Sequence, residues 1–135
     1  MTKFSTIYIL MICTFFIFSC ESDEGKLPNI SFKTGGVYTS DSTALNVNSP
    51  FTVGITASKS EDKDVLKKFN ISRSINSSPN VSIFDKDLSG SEGDNFSYDY
   101  IGLVDLIPGN ITKYTFTVTN RDGLVNQVSL KVVTK

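Results

Sequence analysis

The sequence predicts an all-β fold, a single antiparallel two-layer sandwich of about seven strands occupying residues 29–135. Three observations predict it. Short stretches rich in Val, Ile, Phe, Tyr and Thr alternate with period two, as half-buried strands do. Turn-forming clusters recur every dozen or so residues, among them Gly35-Gly36, Ser49-Pro50, Ser77-Ser78-Pro79-Asn80, Ser89-Gly90, Pro108-Gly109-Asn110 and Asn120-Arg121-Asp122-Gly123. No window longer than ten residues carries an apolar stripe of helical period.

The elements can be taken in chain order. Residues 29–33 form a first, short strand. Phe51, Val53, Ile55 and Ala57 fall on one face of the next. Residues 61–69 (EDKDVLKKF) read as a loop entering a strand over 66–75, and further strands fit 80–85 and 95–103. The strongest pattern is 111–119 (ITKYTFTVT), with Tyr114, Phe116 and Val118 on the inner face and Thr115, Thr117 and Thr119 opposite. A strand over 124–134 follows, its inner face carrying Val128, Leu130 and Val132. The Asp122-Gly123 pair supplies the residues a tight turn needs, so these two strands form a hairpin.

The first 19 residues do not belong to this fold. Lys3 precedes an apolar run, residues 7–18 (IYILMICTFFIF), interrupted only by Thr14. Those 12 residues rise about 18 Å as a helix, short of the roughly 20 residues that span a bilayer. A basic start before a short apolar run is the pattern of a secretory signal peptide. Residues 20–28 (CESDEGKLP) then read as a solvated tether.

Ile17-Phe18-Ser19-Cys20 resembles a lipobox, with an aliphatic residue three before the cysteine and a small one just before it. The resemblance implies a bacterial lipoprotein cut before Cys20 and lipidated on that thiol, so that Cys20 holds the chain to a membrane. The other cysteine, Cys13, leaves with the signal, and no disulfide partner remains for Cys20. Glu21-Ser22-Asp23-Glu24 resembles the acidic export signals of some Gram-negative surface lipoproteins. An outer-membrane location is implied, on either the cell surface or the periplasmic face.

A second resemblance lies further along. Leu106-Ile107-Pro108-Gly109, followed by Tyr114-Thr115-Phe116-Thr117-Val118, is similar to the E–F corner and strand F of fibronectin type III and other immunoglobulin-like domains. It implies an immunoglobulin-like sandwich in which the Tyr114 hydroxyl caps that corner.

Composition narrows the function. With no His in the chain, Ser-His-Asp and Cys-His catalysis and imidazole metal sites are excluded. What remains for a small hydrolase, the third class considered, is a carboxylate pair, a Ser-Lys arrangement or Tyr. The chain is therefore expected not to be an enzyme, with no catalytic residue, cofactor or metal assigned. Thirteen basic residues against 14 acidic ones give no basic face for a nucleic acid. The expected function is a binding or structural module for a protein or polysaccharide partner. The alternative is an accessory, glycan-presenting lipoprotein of a nutrient-uptake system. A planar row of aromatics would favour glycan stacking, and Tyr38, Tyr98 and Tyr100 are its candidates, although Tyr98 and Tyr100 fit the core equally.

Three local motifs have a chemical reading beside a plain one. Asp85-Lys86-Asp87-Leu88-Ser89-Gly90 opens like a calcium loop, but Phe96 stands where the twelfth-position acid belongs, and a charged hairpin turn explains it. Asn120-Arg121-Asp122-Gly123 invites a cadherin-like calcium reading that the hairpin itself accounts for. Asp41-Ser42-Thr43 resembles a bacterial O-glycosylation acceptor at Ser42, or else forms an Asp-Ser turn. The Asn-x-Ser/Thr triplets such as Asn70-Ile71-Ser72 follow from a composition rich in Asn, Ser and Thr.

Overall fold

The structure, a computed structural model, describes residues 25–135. The expected signal peptide, Cys20 and the acidic run 21–24 lie outside the described residues. Eight strands, rather than about seven, make two sheets: β1 (Asn29–Phe32), β2 (Thr43–Leu45), β3 (Pro50–Ser58), β4 (Leu66–Ile75), β5 (Val81–Asp87), β6 (Asn95–Leu103), β7 (Ile111–Asn120) and β8 (Val125–Thr134). One sheet has the order β1-β3-β6, the other β2-β8-β7-β4-β5. The element missed from sequence is β2. At three residues it is too short to show alternation, and it pairs parallel to β8, Thr43 opposite Val132. The named strands are therefore antiparallel except for that pair, and an isolated parallel bridge joins Tyr38 to Thr52 of β3.

Alternation works because each strand buries one face. Phe51, Val53, Ile55 and Ala57 of β3, Phe69 and Ile71 of β4, Tyr114, Phe116 and Val118 of β7, and Leu130 and Val132 of β8 are all buried. The chain has no Trp, and aromatic edges fill the space between the sheets. The Phe69 ring lies 5.0 Å from Phe96, 5.5 Å from Tyr98 and 6.1 Å from Phe84. Phe51 meets Tyr114 at 5.4 Å, and Phe32 meets Phe116 edge-on at 5.9 Å. Tilted and edge-on pairs of this kind bring attraction beyond the area they bury.

The expected β7–β8 hairpin forms, with Phe116 opposite Val128 and Thr119 opposite Val125. Gly123 takes φ +80° in its turn. The Asp85–Gly90 stretch departs from expectation. It is no hairpin: Asp85 and Asp87 belong to β5, and a 3-10 turn at Gly90–Gly93 then carries the chain across to β6 in the other sheet.

The strands give the molecule two ends. The lower one gathers residues 59–65, the Gly90–Gly93 turn and the β7–β8 turn around the point where the described chain begins. There the Asn120 amide donates to the Lys26 carbonyl (3.2 Å) and to the buried carboxylate of Asp64 (2.6 Å). The Asn120 Oδ1 accepts from the Leu124 N–H (2.8 Å), and the Asn126 amide donates to the Pro28 carbonyl (2.9 Å). The upper end gathers residues 46–49, 76–80 and 104–110. Among the described residues no helix is long and apolar enough to cross a membrane.

Candidate functional site

The outward side chains of β1, β3 and β6 fall into register as rows across the small sheet. The lowest row is Asn29, Ser58 and Asn95, and the next is Ser31, Thr56 and Ser97. All six are small, uncharged and able both to donate and to accept hydrogen bonds. They line a depression of about 590 Å³. Neighbours are already linked across the strands: the Asn29 amide donates to Ser58 Oγ at 3.3 Å, and the Ser31 and Thr56 hydroxyls lie 3.1 Å apart.

The third row is built differently. Gly54 of β3 lies opposite Asp99 of β6, and a side chain at Gly54 would collide with Lys33 Cδ and the Tyr38 ring, each 2.6 Å from the Cβ position. The missing side chain is therefore what lets Tyr38 and Lys33 close over the strand. Their polar ends meet on Asp99: Lys33 Nζ donates to Oδ1 at 2.7 Å, and the Tyr38 hydroxyl donates to Oδ2 at 3.1 Å. Lys33 Nζ also lies 5.4 Å from the Tyr38 ring centre, within cation–π range. The bond from Lys33, with a smaller one from Tyr38, holds the Asp99 carboxyl below its ordinary value. The same Asp99 bond raises Lys33. The depression thus ends against a raised, internally neutralised Tyr-Lys-Asp wall.

The structure separates the residues singled out from sequence. Cys20 lies outside the described residues. The aromatic row does not form, because Tyr98 and Tyr100 pack against the core while Tyr38 alone sits on the outer face. Tyr114 does not cap the loop at 104–110. Its ring is buried between Phe51 and Tyr100, and its hydroxyl meets Tyr100 and Arg73. Burial, reinforced by Tyr100, pushes that phenol up to about 12. Asp85 is committed to its own sheet, accepting from Asn70 (3.1 Å) and Ser82 (2.9 Å), bonds that lower its pKa. Asn120 turns inward as described above. Ser42 is exposed, and its hydroxyl accepts the Lys131 backbone N–H at 3.0 Å. Among the described residues no group of three or more His, Cys, Asp or Glu is placed to hold a metal.

No protein-family model matches the sequence, and no curated protein does. Among solved structures, the fold is similar to the superoxide reductase (neelaredoxin) of Ignicoccus hospitalis at TM-score 0.53 and 8% identity, covering 82% of this chain and 81% of that one. A point variant of the same enzyme matches at TM-score 0.52 and 7% identity, over 81% and 80% of the two chains. At such identity the likeness shows the fold alone. It does correct one expectation. This architecture carries catalysis in superoxide reductases, so the expectation that the chain is not an enzyme does not stand.

Proposed function

We propose that the protein is a lipid-anchored envelope lipoprotein whose small-sheet face binds an uncharged polysaccharide. The observation that carries this reading is the pair of rows Asn29-Ser58-Asn95 and Ser31-Thr56-Ser97. A neutral sugar offers hydroxyls that donate and accept, and it is matched by a surface that does the same without charge. The Tyr38 wall bounds the site at its upper end. The lipobox-like Ile17-Phe18-Ser19-Cys20 supports the anchor, and β1 begins only four residues after Gly25, so the lower row lies close to the membrane side. The sandwich itself is of the immunoglobulin type on this reading. In support, β1, β3 and β6 lie in one sheet, β8, β7, β4 and β5 in the other, and only β4–β5 and β7–β8 are hairpins.

Two measurements test it. The full chain expressed in its host should label with palmitate and partition into detergent, and Cys20→Ala should abolish both. Extracted in detergent, the wild type should be retarded on native gels cast with a neutral polysaccharide that it recognises. Thr56→Arg places a bulky cation in the middle of the grid at an exposed position, and Gly54→Ala displaces Tyr38. Both should lose the retardation, and Thr56→Arg should do so while unfolding like wild type. Retardation unchanged by Thr56→Arg would remove the small sheet from the site.

A further inference from the structure

On the opposite face of the molecule, the upper rows of the five-stranded sheet concentrate charge of one sign. Ser74 of β4 lies opposite Lys113 of β7, and Lys113 lies directly opposite Lys131 of β8. All three residues line a second depression of about 370 Å³, with Asn76, Ser78 and Asn80 from the β4–β5 turn, and the lining contains no carboxylate. Like charges facing each other across neighbouring strands destabilise a sheet. Neither lysine has an ion-pair partner among the described residues.

Two further costs fall at the same place. The turn that forms one wall holds Asn76 at φ +49° and Ser77 at φ +64°, left-handed backbone that glycine usually supplies. It is locked there from outside: Asn76 Nδ2 donates to Asn110 Oδ1 (2.7 Å), and Asn76 Oδ1 accepts the Ile111 N–H (2.9 Å). One row further down the same face, Thr115 is only 3% exposed and its hydroxyl has no hydrogen-bond partner. Opposed lysines, a strained turn and an idle hydroxyl each work against stability. The two lysines and the turn form a polar pocket with two cations at one side and amides and hydroxyls at the other, and Thr115 lies one row below it.

We propose that this pocket binds an acidic sugar unit, its oxyanion bridging Lys113 and Lys131 and its hydroxyls meeting Ser74, Asn76, Ser78 and Asn80. An oxyanion between the two ammonium groups converts their repulsion into charge-assisted hydrogen bonds. The volume and the hydroxyl-rich wall exceed what a bare ion needs. A uronate and a sugar phosphate offer the same chemistry. The site is independent of the neutral-glycan site, which lies on the other sheet and shares none of these residues.

The test is a ligand-observed NMR titration of the full chain in detergent micelles at low salt, with glucuronate, glucose 6-phosphate, glucose and inorganic phosphate. One or both acidic sugars should bind at least about tenfold more tightly than glucose and than inorganic phosphate, and added salt should weaken them. Preference for glucuronate assigns a carboxylate, and preference for glucose 6-phosphate a phosphate. Lys131→Gln should lose about tenfold or more of that affinity, since a charge-assisted bond goes with it. It should also melt no lower than wild type, because it relieves a like-charge pair. Absence of binding by both acidic sugars, glucose binding as well as they do, inorganic phosphate binding as well as they do, or affinity unchanged in Lys131→Gln would each overturn the assignment. Thr56→Arg should leave this titration untouched, which separates failure here from failure of the small-sheet reading.

Discussion

Thr115 and Thr117 stand two residues apart on the same face of β7, yet their surroundings differ. Thr117 is half-exposed, as an outward position should be, whereas Thr115 is roofed by its neighbours and its hydroxyl is left without a partner. Three substitutions on this strand should therefore separate cleanly in urea unfolding. Phe116→Ala empties a fully buried position and should cost about 3–5 kcal/mol. Thr117→Ala should cost well under about 1 kcal/mol. Thr115→Val, which removes only the idle hydroxyl, should gain about 1 kcal/mol. Loss of stability in Thr115→Val would show that the hydroxyl does have a partner in solution. Tyr114 adds a pH dependence. Its phenol titrates at about 12 in the folded chain against an ordinary 10, so the folded state holds the proton more tightly. Its contribution is complete below pH 10 and is lost as pH rises from there towards 12. Base-induced unfolding should begin in that window, and Tyr114→Phe should move its onset upward, read by circular dichroism.

At the scale of elements, the lower end depends on one amide. Asn120 joins the incoming chain at Lys26, the buried Asp64 and the Leu124 N–H. Asn120→Ala would leave a buried carboxylate oxygen and a backbone donor unpaired, at a cost of about 3 kcal/mol. Asn126→Ala, which loses a single bond to Pro28, should cost about 1 kcal/mol. Equal midpoint shifts in urea would mean that Asp64 finds water instead. The strands themselves were largely legible, because one-sided burial writes itself as alternation. The pattern located 66–75 and 95–103 to the residue and gave β3 its four inward side chains. What alternation cannot carry is the partner of a strand. Hence β2 leaves no mark in the sequence, Asp85–Gly90 reads as a hairpin turn, and Tyr98 and Tyr100 fit inside or out with equal ease. The Lys113–Lys131 pair was within reach, since a hairpin closed at Asn120–Leu124 fixes those two opposite each other. The small-sheet grid was not. Its six members come from three distant segments, each an ordinary row of outward polar residues, and only the pairing of β1, β3 and β6 makes them a surface.

Across the whole molecule, the two depressions lie on opposite sheets and near opposite ends. The uncharged one sits by the point where the described chain begins, and the doubly cationic one sits at the far end. The proposed anchor would thus set the neutral site towards the membrane and hold the lysines outward. The superoxide reductase likeness belongs to this scale as well, for it concerns the course of the backbone and no side chain.

The Asn120 junction has a mechanical consequence. Held through the proposed anchor at its lower end, the domain would be pulled along the axis of β1, which runs upward from Asn29 beside β3. Traction on the leash reaches the bonds at Lys26 and Pro28 before it reaches that strand, and β1 is then loaded in shear, its bonds to β3 sharing the force instead of opening one at a time. The β7–β8 turn, the residues around Asp64 and the leash are joined by the same amide, so the load divides between both sheets at its point of entry. Under the proposed anchor the molecule would thus resist at its base, and the pocket at the far end, lined by Lys113 and Lys131, lies farthest from the load.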